Sequence, residues 1–250
     1  MPCTRTRLAL LLVACLLPLT ALAATETERV HKVVPLPPGG AVSVHTFSGT
    51  VRITGADVSD VTIDAVRRAS RDRLDRIKLD IEVDGATVKI EANKRDGSWS
   101  LGQNNVVETD FEIQVPRAAE VRVESFSSPV RVIGVTGSQR IHTFSGTVEL
   151  EEAAAPVKAE TFSGSVRVQL AQAFTAPDLD LRTFSGEIDV VMPAASRAKL
   201  EFDTFSGDLT SDFPLTLQGK SRRHIQAELG GGGAQSVKLH TFSGDVSIRK

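Results

Sequence analysis

The 250-residue chain has no tyrosine, a single tryptophan (Trp99), two methionines and two cysteines (Cys3 and Cys15). Both cysteines lie within the first fifteen residues. The rest therefore has no thiol for a disulfide, a nucleophile or the usual zinc spacings. An excess of one charge is also missing: 29 Lys and Arg face 31 Asp and Glu. That balance argues against a dedicated binder of nucleic acid or anionic lipid, which would carry a basic patch. Long apolar runs are scarce too. The longest, Leu8 to Leu19, contains Pro18 and falls short of the roughly 20 residues a spanning helix needs.

That run is preceded by Arg5 and Arg7 and followed by Ala21-Leu22-Ala23, the layout of a secretory signal peptide. Residues 1–23 are read as that signal and 24–250 as an exported domain, periplasmic or at the cell surface, with no transmembrane span after cleavage. "LVAC" at Leu12 to Cys15 offers a rival lipoprotein site, but the "LLPLTALA" after it is apolar where a lipid-anchored tether is polar. Loss of Arg5 and Arg7 leaves 27 basic side chains against 31 acidic ones. The domain must then be held by its core and backbone hydrogen bonds, and its size suffices, since such a chain buries roughly 70% of its unfolded surface.

One phrase recurs: "HTFSGTVR" from His45, "ESFSSPVR" from Glu124, "HTFSGTVE" from His142, "ETFSGSVR" from Glu160, "RTFSGEID" from Arg182, "DTFSGDLT" from Asp203 and "HTFSGDVS" from His240. The phenylalanines Phe47, Phe126, Phe144, Phe162, Phe184, Phe205 and Phe242 are spaced by 79, 18, 18, 22, 21 and 37 residues. A period near twenty residues, too short to bury its own face, predicts stacked repeats. In "VKAETFSGSVRV", from Val157, apolar and polar residues alternate on both sides of Gly164. Period two means strand, so each copy reads strand, corner, strand, with glycine permitting the bend. The copy with Ser128 and Pro129 in place of this corner predicts a different turn.

The predicted fold is all-β, a single-stranded β-solenoid or β-helix-like stack of coils of ~18–22 residues. Residues 24–120 form an elaborated N-terminal half and 121–250 the regular repeats. In 64–120 the chain predicts a charged segment, a hairpin at Asp84-Gly85, a polar loop and the strand "VETDFEIQVP",. The 37-residue interval is read as two units, the second a coil lacking the motif, with Ile225, Ala227 and Leu229 in strand parity before four glycines. Parallel stacking would place Arg131, Glu149, Arg167 and Asp189 in one column of alternating sign. His142 would lie between Glu124 and Glu160, and Arg122, Arg140 and Lys158 would share a column of like charge.

These residues resemble a bacterial β-strand-repeat family of unknown function that carries an adhesin label. The likeness runs through "VVPLPPGGAVSVHTFSGTVRITG", "FEIQVPRAAEVRVESFSSPVRV", "VVMPAASRAKLEFDTFSGDL" and "GGGGAQSVKLHTFSGDVSIRK". The resemblance implies an exported or envelope-facing β-solenoid and supplies no catalytic residue.

The repeat also tempts a search for serine–histidine chemistry. A nucleophile needs one base and one orienting group brought together, whereas the histidine slot also holds Glu124, Glu160, Arg182 and Asp203. The threonines and serines are expected to satisfy corner backbone groups instead. No catalytic, cofactor or metal site is assigned, because His45, His142 and His240 belong to different coils. Asp178, Asp180, Glu187 and Asp189 read as a solvated face, and no carboxylate pair stands out for glycan cleavage. Trp99 in "DGSWSLG" reads as a pin for its loop, with sugar stacking the alternative. The seven phenylalanines sit on the polar parity, an odd place for a side chain whose burial is worth roughly 1.5–3 kcal/mol. The expectation is that the corner or the N-terminal half covers them, ahead of cover by a partner. Function is read as a non-enzymatic adhesion or interaction scaffold of the cell envelope, its partner an envelope protein or glycan. The alternative is a polysaccharide-binding or polysaccharide-active solenoid.

Overall fold

A computed structural model describes residues 25–95, 106–172, 178–221 and 223–250. Residues 1–23, read above as a signal, and Trp99 lie outside the described residues. The elaborated half comprises β1 (Glu26–Pro35), β2 (Ala41–Ser48), β3 (Val51–Ala56), β4 (Asp60–Ala69), a short helix α1 (Arg71–Arg76), β5 (Ile77–Asp84), β6 (Thr87–Arg95) and β7 (Glu108–Pro116). Regular repeats follow as β8 (Glu120–Ser127), β9 (Val130–Ile133), β10 (Gln139–Ser145), β11 (Val148–Ala153), β12 (Val157–Ser163), β13 (Val166–Leu170), β14 (Leu179–Ser185), β15 (Ile188–Val191), β16 (Ala198–Ser206) and β17 (Leu209–Ser211). The chain ends with β18 (Leu215–Lys220), β19 (His224–Leu229), β20 (Ser236–Ser243) and β21 (Val246–Arg249).

Each copy of the repeated phrase is a corner that carries the chain from an 11-stranded sheet into a 10-stranded one. The alternation decides what faces inward. Along β12, Val157, Ala159 and Thr161 are buried and Phe162 points out; along β13, Val166, Val168 and Leu170 are buried. One apolar core runs between the sheets from Val34 to Ile248, and a small second cluster of Ala69, Leu74, Ile77 and Val107 packs under α1. Buried Arg67 is held there by Glu28 and the Ile77 carbonyl, as an interior cation must be.

Stacking is parallel and in register through β8, β10, β12 and β14: His142 lies opposite both Glu124 and Glu160, and Thr161 opposite Thr183. The corner glycines are required by this closeness. A Cβ built on Gly186 would lie 2.1 Å from the Gly164 carbonyl oxygen, and one on Gly164 2.2 Å from that of Gly146. At Gly186 it is therefore the neighbouring coil, more than freedom to bend, that demands glycine. Ser128 fills the corresponding corner in the divergent copy, fully buried.

At both ends the order in space departs from the order in the chain. The last coil, β20 and β21, inserts between β14/β15 and β16/β17. The first, β2 and β3, likewise lies inside a coil formed later by β6 and β7. The interval before Phe242 is thus not two coils. Its residues form the antiparallel hairpin β18–β19, laid on the outer edge of β16. β19 keeps the expected parity, with Ala227 and Leu229 buried. The physical reason is edge protection: once β20 occupies one side of β16, the other side would be left unpaired, and an antiparallel hairpin covers it. At the opposite end the β5–β6 hairpin turns at Asp84-Gly85 as expected, and β4 pairs antiparallel with β7 and with β1.

Candidate functional site: the outer face of the large sheet

Because successive residues of a strand point to opposite faces, the register lines up side chains on the outer face of the 11-stranded sheet in columns parallel to the stack. The outermost column is the phenylalanines, in the spatial order Phe47, Phe126, Phe144, Phe162, Phe184, Phe242, Phe205. Adjacent rings are 4.6–5.0 Å apart between centroids and lie within 13° of parallel. They are 37% to 50% exposed. The expectation that the corner or the N-terminal half covers them is therefore overturned. The corner does not reverse strand parity, and the extra strands extend the sheet sideways instead of folding over its face.

Ring orientation limits what the stack can hold. Each inner ring has both faces against its neighbours, so the column presents ring edges, which carry the positive side of the aromatic quadrupole. Only the two terminal rings have a face not covered by a ring of the column. Arg223 lies over Phe205, its guanidinium carbon 3.9 Å from the centroid, a cation–π contact.

Beside the rings runs a charged column: His45, Glu124, His142, Glu160, Arg182, His240, Asp203. An open groove of about 590 Å³ is lined by Phe162, Phe184 and Phe242 together with Glu160, Arg182 and His240. Asp180 hydrogen-bonds Arg182 at 2.8 Å and holds its guanidinium above the ordinary value. A third column contains Arg122, Arg140, Lys158, Asp180 and Lys238. Arg122 turns to Glu120 at 3.0 Å and Lys158 to Glu160 at 3.1 Å, which relieves the like charge expected there. On the other sheet Arg167 bridges Glu149 at 3.4 Å and Asp189 at 3.3 Å, and Arg131 approaches Glu149, as the alternating column predicts. Such exposed pairs contribute about 0–1 kcal/mol each.

The acidic positions read as a solvated face are engaged in the framework or exposed. Asp178 accepts from the Ser236 backbone N–H at 2.8 Å, Asp189 from Ser247, and Glu187 is exposed. The threonine column serves corner backbone at Thr183, which donates to the Gly164 carbonyl at 3.0 Å, and at Thr161, which donates to that of Gly146 at 3.5 Å. Ser125 instead donates to the Thr143 hydroxyl at 2.8 Å, and the buried hydroxyls of Thr204 and Thr241 have no partner among the described residues.

Two constellations escaped the sequence reading. Ser43 Oγ lies 3.1 Å from His45 Nε2, and His45 Nδ1 lies 3.3 Å from Glu124 Oε2, which is the connectivity of a serine–histidine–carboxylate relay. The setting opposes catalysis. Strand β2 is hydrogen-bonded on both sides, to β6 and β8, so its N–H groups lie in the sheet plane and serve the ladder. The N–H groups from Ala41 to His45, in strand paired on both sides, are not available to stabilise an oxyanion, usually the largest single contribution in acyl transfer,. The second constellation, at the other end of the sheet, gathers Glu201, Asp203, His224 and His240. Ser43 and His224 lie outside the repeated phrase, which is why counting motif positions missed them.

The Toastrack DUF4097 family profile matches residues 117–249. No curated protein matches. Among solved structures, the chain is similar to a candidate cell adhesion protein from Clostridium sporogenes ATCC 15579, at 13% identity and a TM-score of 0.46, covering 89% of this chain and 99% of that one. It is also similar to a candidate adhesin from Bacteroides fragilis NCTC 9343, at 12% identity and 0.32, covering 88% and 97%. A third likeness is to a candidate lipid binding protein from Parabacteroides distasonis ATCC 8503, at 10% and 0.25, covering 90% and 97%. Among the described residues no helix is long and apolar enough to cross a membrane.

Proposed function

Since the chain belongs to the Toastrack DUF4097 family, we propose that it is an exported, non-enzymatic β-solenoid of the bacterial envelope that acts as an adhesion scaffold. Its phenylalanine column is the contact surface, and a second copy of the same domain is its occupant. The observation that carries this reading is the outward stack of seven rings, an apolar stripe on a face otherwise lined with charge. Stripes of this kind on soluble proteins mark interaction sites.

Periodicity supports the choice of occupant. The rings repeat at 4.6–5.0 Å, the spacing of strands within a sheet; an α-helix repeats at 5.4 Å per turn and drifts out of step. A second stack of β-coils stays in phase along the whole column. The neighbouring column mixes cationic and anionic side chains, so two copies related by a two-fold axis can set opposite charges against each other. Ring edges, unlike ring faces, offer no platform for a sugar ring, which weighs against the polysaccharide reading.

The column is about 29 Å long from first ring to last, and three columns side by side span on the order of 15–20 Å. Two copies would then bury roughly 1,000 Å², the lower limit of specific interfaces. A weak contact of this size suits adhesion, where many copies act together.

The test is sedimentation of the purified domain over a concentration series, beside a variant carrying Phe144→Ser, Phe162→Ser and Phe184→Ser. The proposal expects concentration-dependent dimers of the parent and a monomeric variant with unchanged circular dichroism. A parent that stays monomeric at high concentration, or a variant that still dimerises, overturns it. Export is tested separately, by cell fractionation and N-terminal sequencing that should begin at Ala24.

A further inference from the structure

From the way the solenoid closes, we infer a binding site for a divalent transition metal ion of the zinc class, built by Glu201, Asp203, His224 and His240. It does not depend on the adhesion reading.

Asp203 is the centre. On β16 it has two register partners: His224 on the antiparallel strand β19 and His240 on the parallel strand β20. Each imidazole turns its Nδ1 to a different oxygen of the same carboxylate, His224 at 2.5 Å from Oδ1 and His240 at 3.2 Å from Oδ2. Glu201 precedes Asp203 by two residues and so shares its face. Donor atoms of Glu201, Asp203 and His224 all lie within 4.8 Å of one another. All four side chains are about one-third exposed, so an ion can arrive from solvent and keep water in its coordination sphere.

Chemistry selects the ion. Two imidazoles and two carboxylates, with no thiolate, match zinc and its transition-metal neighbours. Calcium and magnesium prefer oxygen alone. Glu124 also has two imidazoles, His45 and His142, as register partners, but among the described residues only the Asp203 cluster brings two carboxylates and an imidazole to within 4.8 Å of one another. A neutral imidazole can offer the ion a lone pair. The permanent cations nearby are mostly engaged elsewhere. Arg182, next to His240, is held by Asp180 at 2.8 Å, and Arg223 lies over Phe205 at 3.9 Å. Among the described residues Lys238 is the cation that approaches the cluster, 3.9 Å from Glu201.

Position gives the ion a structural consequence. His224 belongs to the closing hairpin, Asp203 to the last full coil and His240 to the inserted C-terminal coil. One ion would clamp the three together at the end of the sheet where the core ends. Because binding to the folded state alone stabilises it by mass action, zinc should raise the unfolding temperature.

The experiment uses tag-free, chelator-treated protein, titrated calorimetrically with zinc chloride and, in parallel, with calcium and magnesium chloride. The expected result is one zinc equivalent per chain, with no saturable calcium or magnesium binding. Affinity should fall by at least about tenfold in Asp203→Asn and in the double variant His224→Gln, His240→Gln. Thermal unfolding without metal verifies that both variants fold, and added zinc should raise the transition of the parent but not of these two variants. Lys238→Ala, which removes the competing cation, should bind zinc at least as well as the parent. Absence of saturable zinc binding to the parent, or undiminished binding by folded Asp203→Asn, overturns the proposal.

Discussion

Replacing Gly186 by alanine tests the stacked corners at a position where conformation and crowding can be separated. Gly186 lacks the positive φ that many of the chain's glycines adopt, yet an added Cβ would stand 2.1 Å from the Gly164 oxygen and 2.6 Å from its carbonyl carbon. Relief requires the two coils to part by about 1 Å, since such contacts normally exceed 3 Å. The hydrogen bonds bracketing this corner are Gly164 N–H to Ser185 O at 3.1 Å and Val166 N–H to Glu187 O at 2.9 Å, and parting would stretch both. Two weakened bonds at about 1 kcal/mol each, plus about 1–3 kcal/mol of overpacking strain, predict a loss of about 3–5 kcal/mol. Gly85→Ala is the matched control. Its φ is +59° but nothing lies within 4 Å of the new methyl, so only backbone strain of about 1–2 kcal/mol applies. Urea unfolding of both variants, with unchanged m-values, gives the comparison. Were Gly186→Ala within about 1 kcal/mol of the parent, or milder than Gly85→Ala, the corners would not be in the contact described.

Further outcomes follow from burial, geometry and charge. Leu181→Ala empties a fully buried position and should cost about 2–5 kcal/mol. Phe162→Ser, by contrast, gives up two exposed stacking contacts at 4.9 and 4.7 Å and should cost about 1–3 kcal/mol; a loss above about 4 kcal/mol, as for a core phenylalanine, would return the column to the core. Ser43→Ala should leave p-nitrophenyl acetate turnover at the parent's level, and a clear drop would mean that the Ser43–His45–Glu124 relay is supplied with an oxyanion site. Around Asp110, desolvation pushes the carboxyl pKa up, but hydrogen bonds from Arg68 and from the Thr50 hydroxyl and N–H outweigh it and leave the pKa lowered. A carboxylate with a depressed folded pKa lends stability that is complete above its unfolded value, near 3.9, and fades as pH falls through the folded value. Denaturant midpoints should therefore show Asp110→Asn lagging the parent at neutral pH, with the gap closing below about pH 4; a pH-independent gap would contradict this.

The strands and the parallel register were legible in the sequence because they rest on local chemistry: alternation inside each copy and opposite charges at matching positions, as in Arg131, Glu149, Arg167 and Asp189. The Asp84-Gly85 hairpin was legible for the same reason. The order of the coils was not. Copies that share nearly the same eight residues stack equally well on any neighbour, so nothing within "HTFSGDVS" says that it belongs beside Arg182 and not beyond Asp203. Chain order even places Arg182 against Asp203, a satisfied pair that hid the alternative. The 37-residue interval before Phe242 held the only hint, and it supplied the chain needed to fold a hairpin and return. The candidate metal site was invisible for this reason: His240 meets Asp203 only through the insertion, and His224 only through the hairpin. The phenylalanine column was read correctly by parity, but its exposure was not accepted, because apolar burial is a preference of the whole chain that strand alternation overrides locally.

Insertion of the last coil is tested most directly by engineered disulfides in a chain with Cys3 and Cys15 changed to serine. Asp180 lies directly opposite Lys238, and Lys238 opposite Glu201, so Asp180 and Glu201 are two strands apart. A disulfide spans Cα separations of about 4.4–6.8 Å, and strands two apart are about 9.5 Å distant. The pair Asp180→Cys with Lys238→Cys should oxidise readily without loss of fold, while Asp180→Cys with Glu201→Cys should remain reduced. The reverse outcome, a bond between positions 180 and 201 and none between 180 and 238, would put the coils back in chain order and contradict the account.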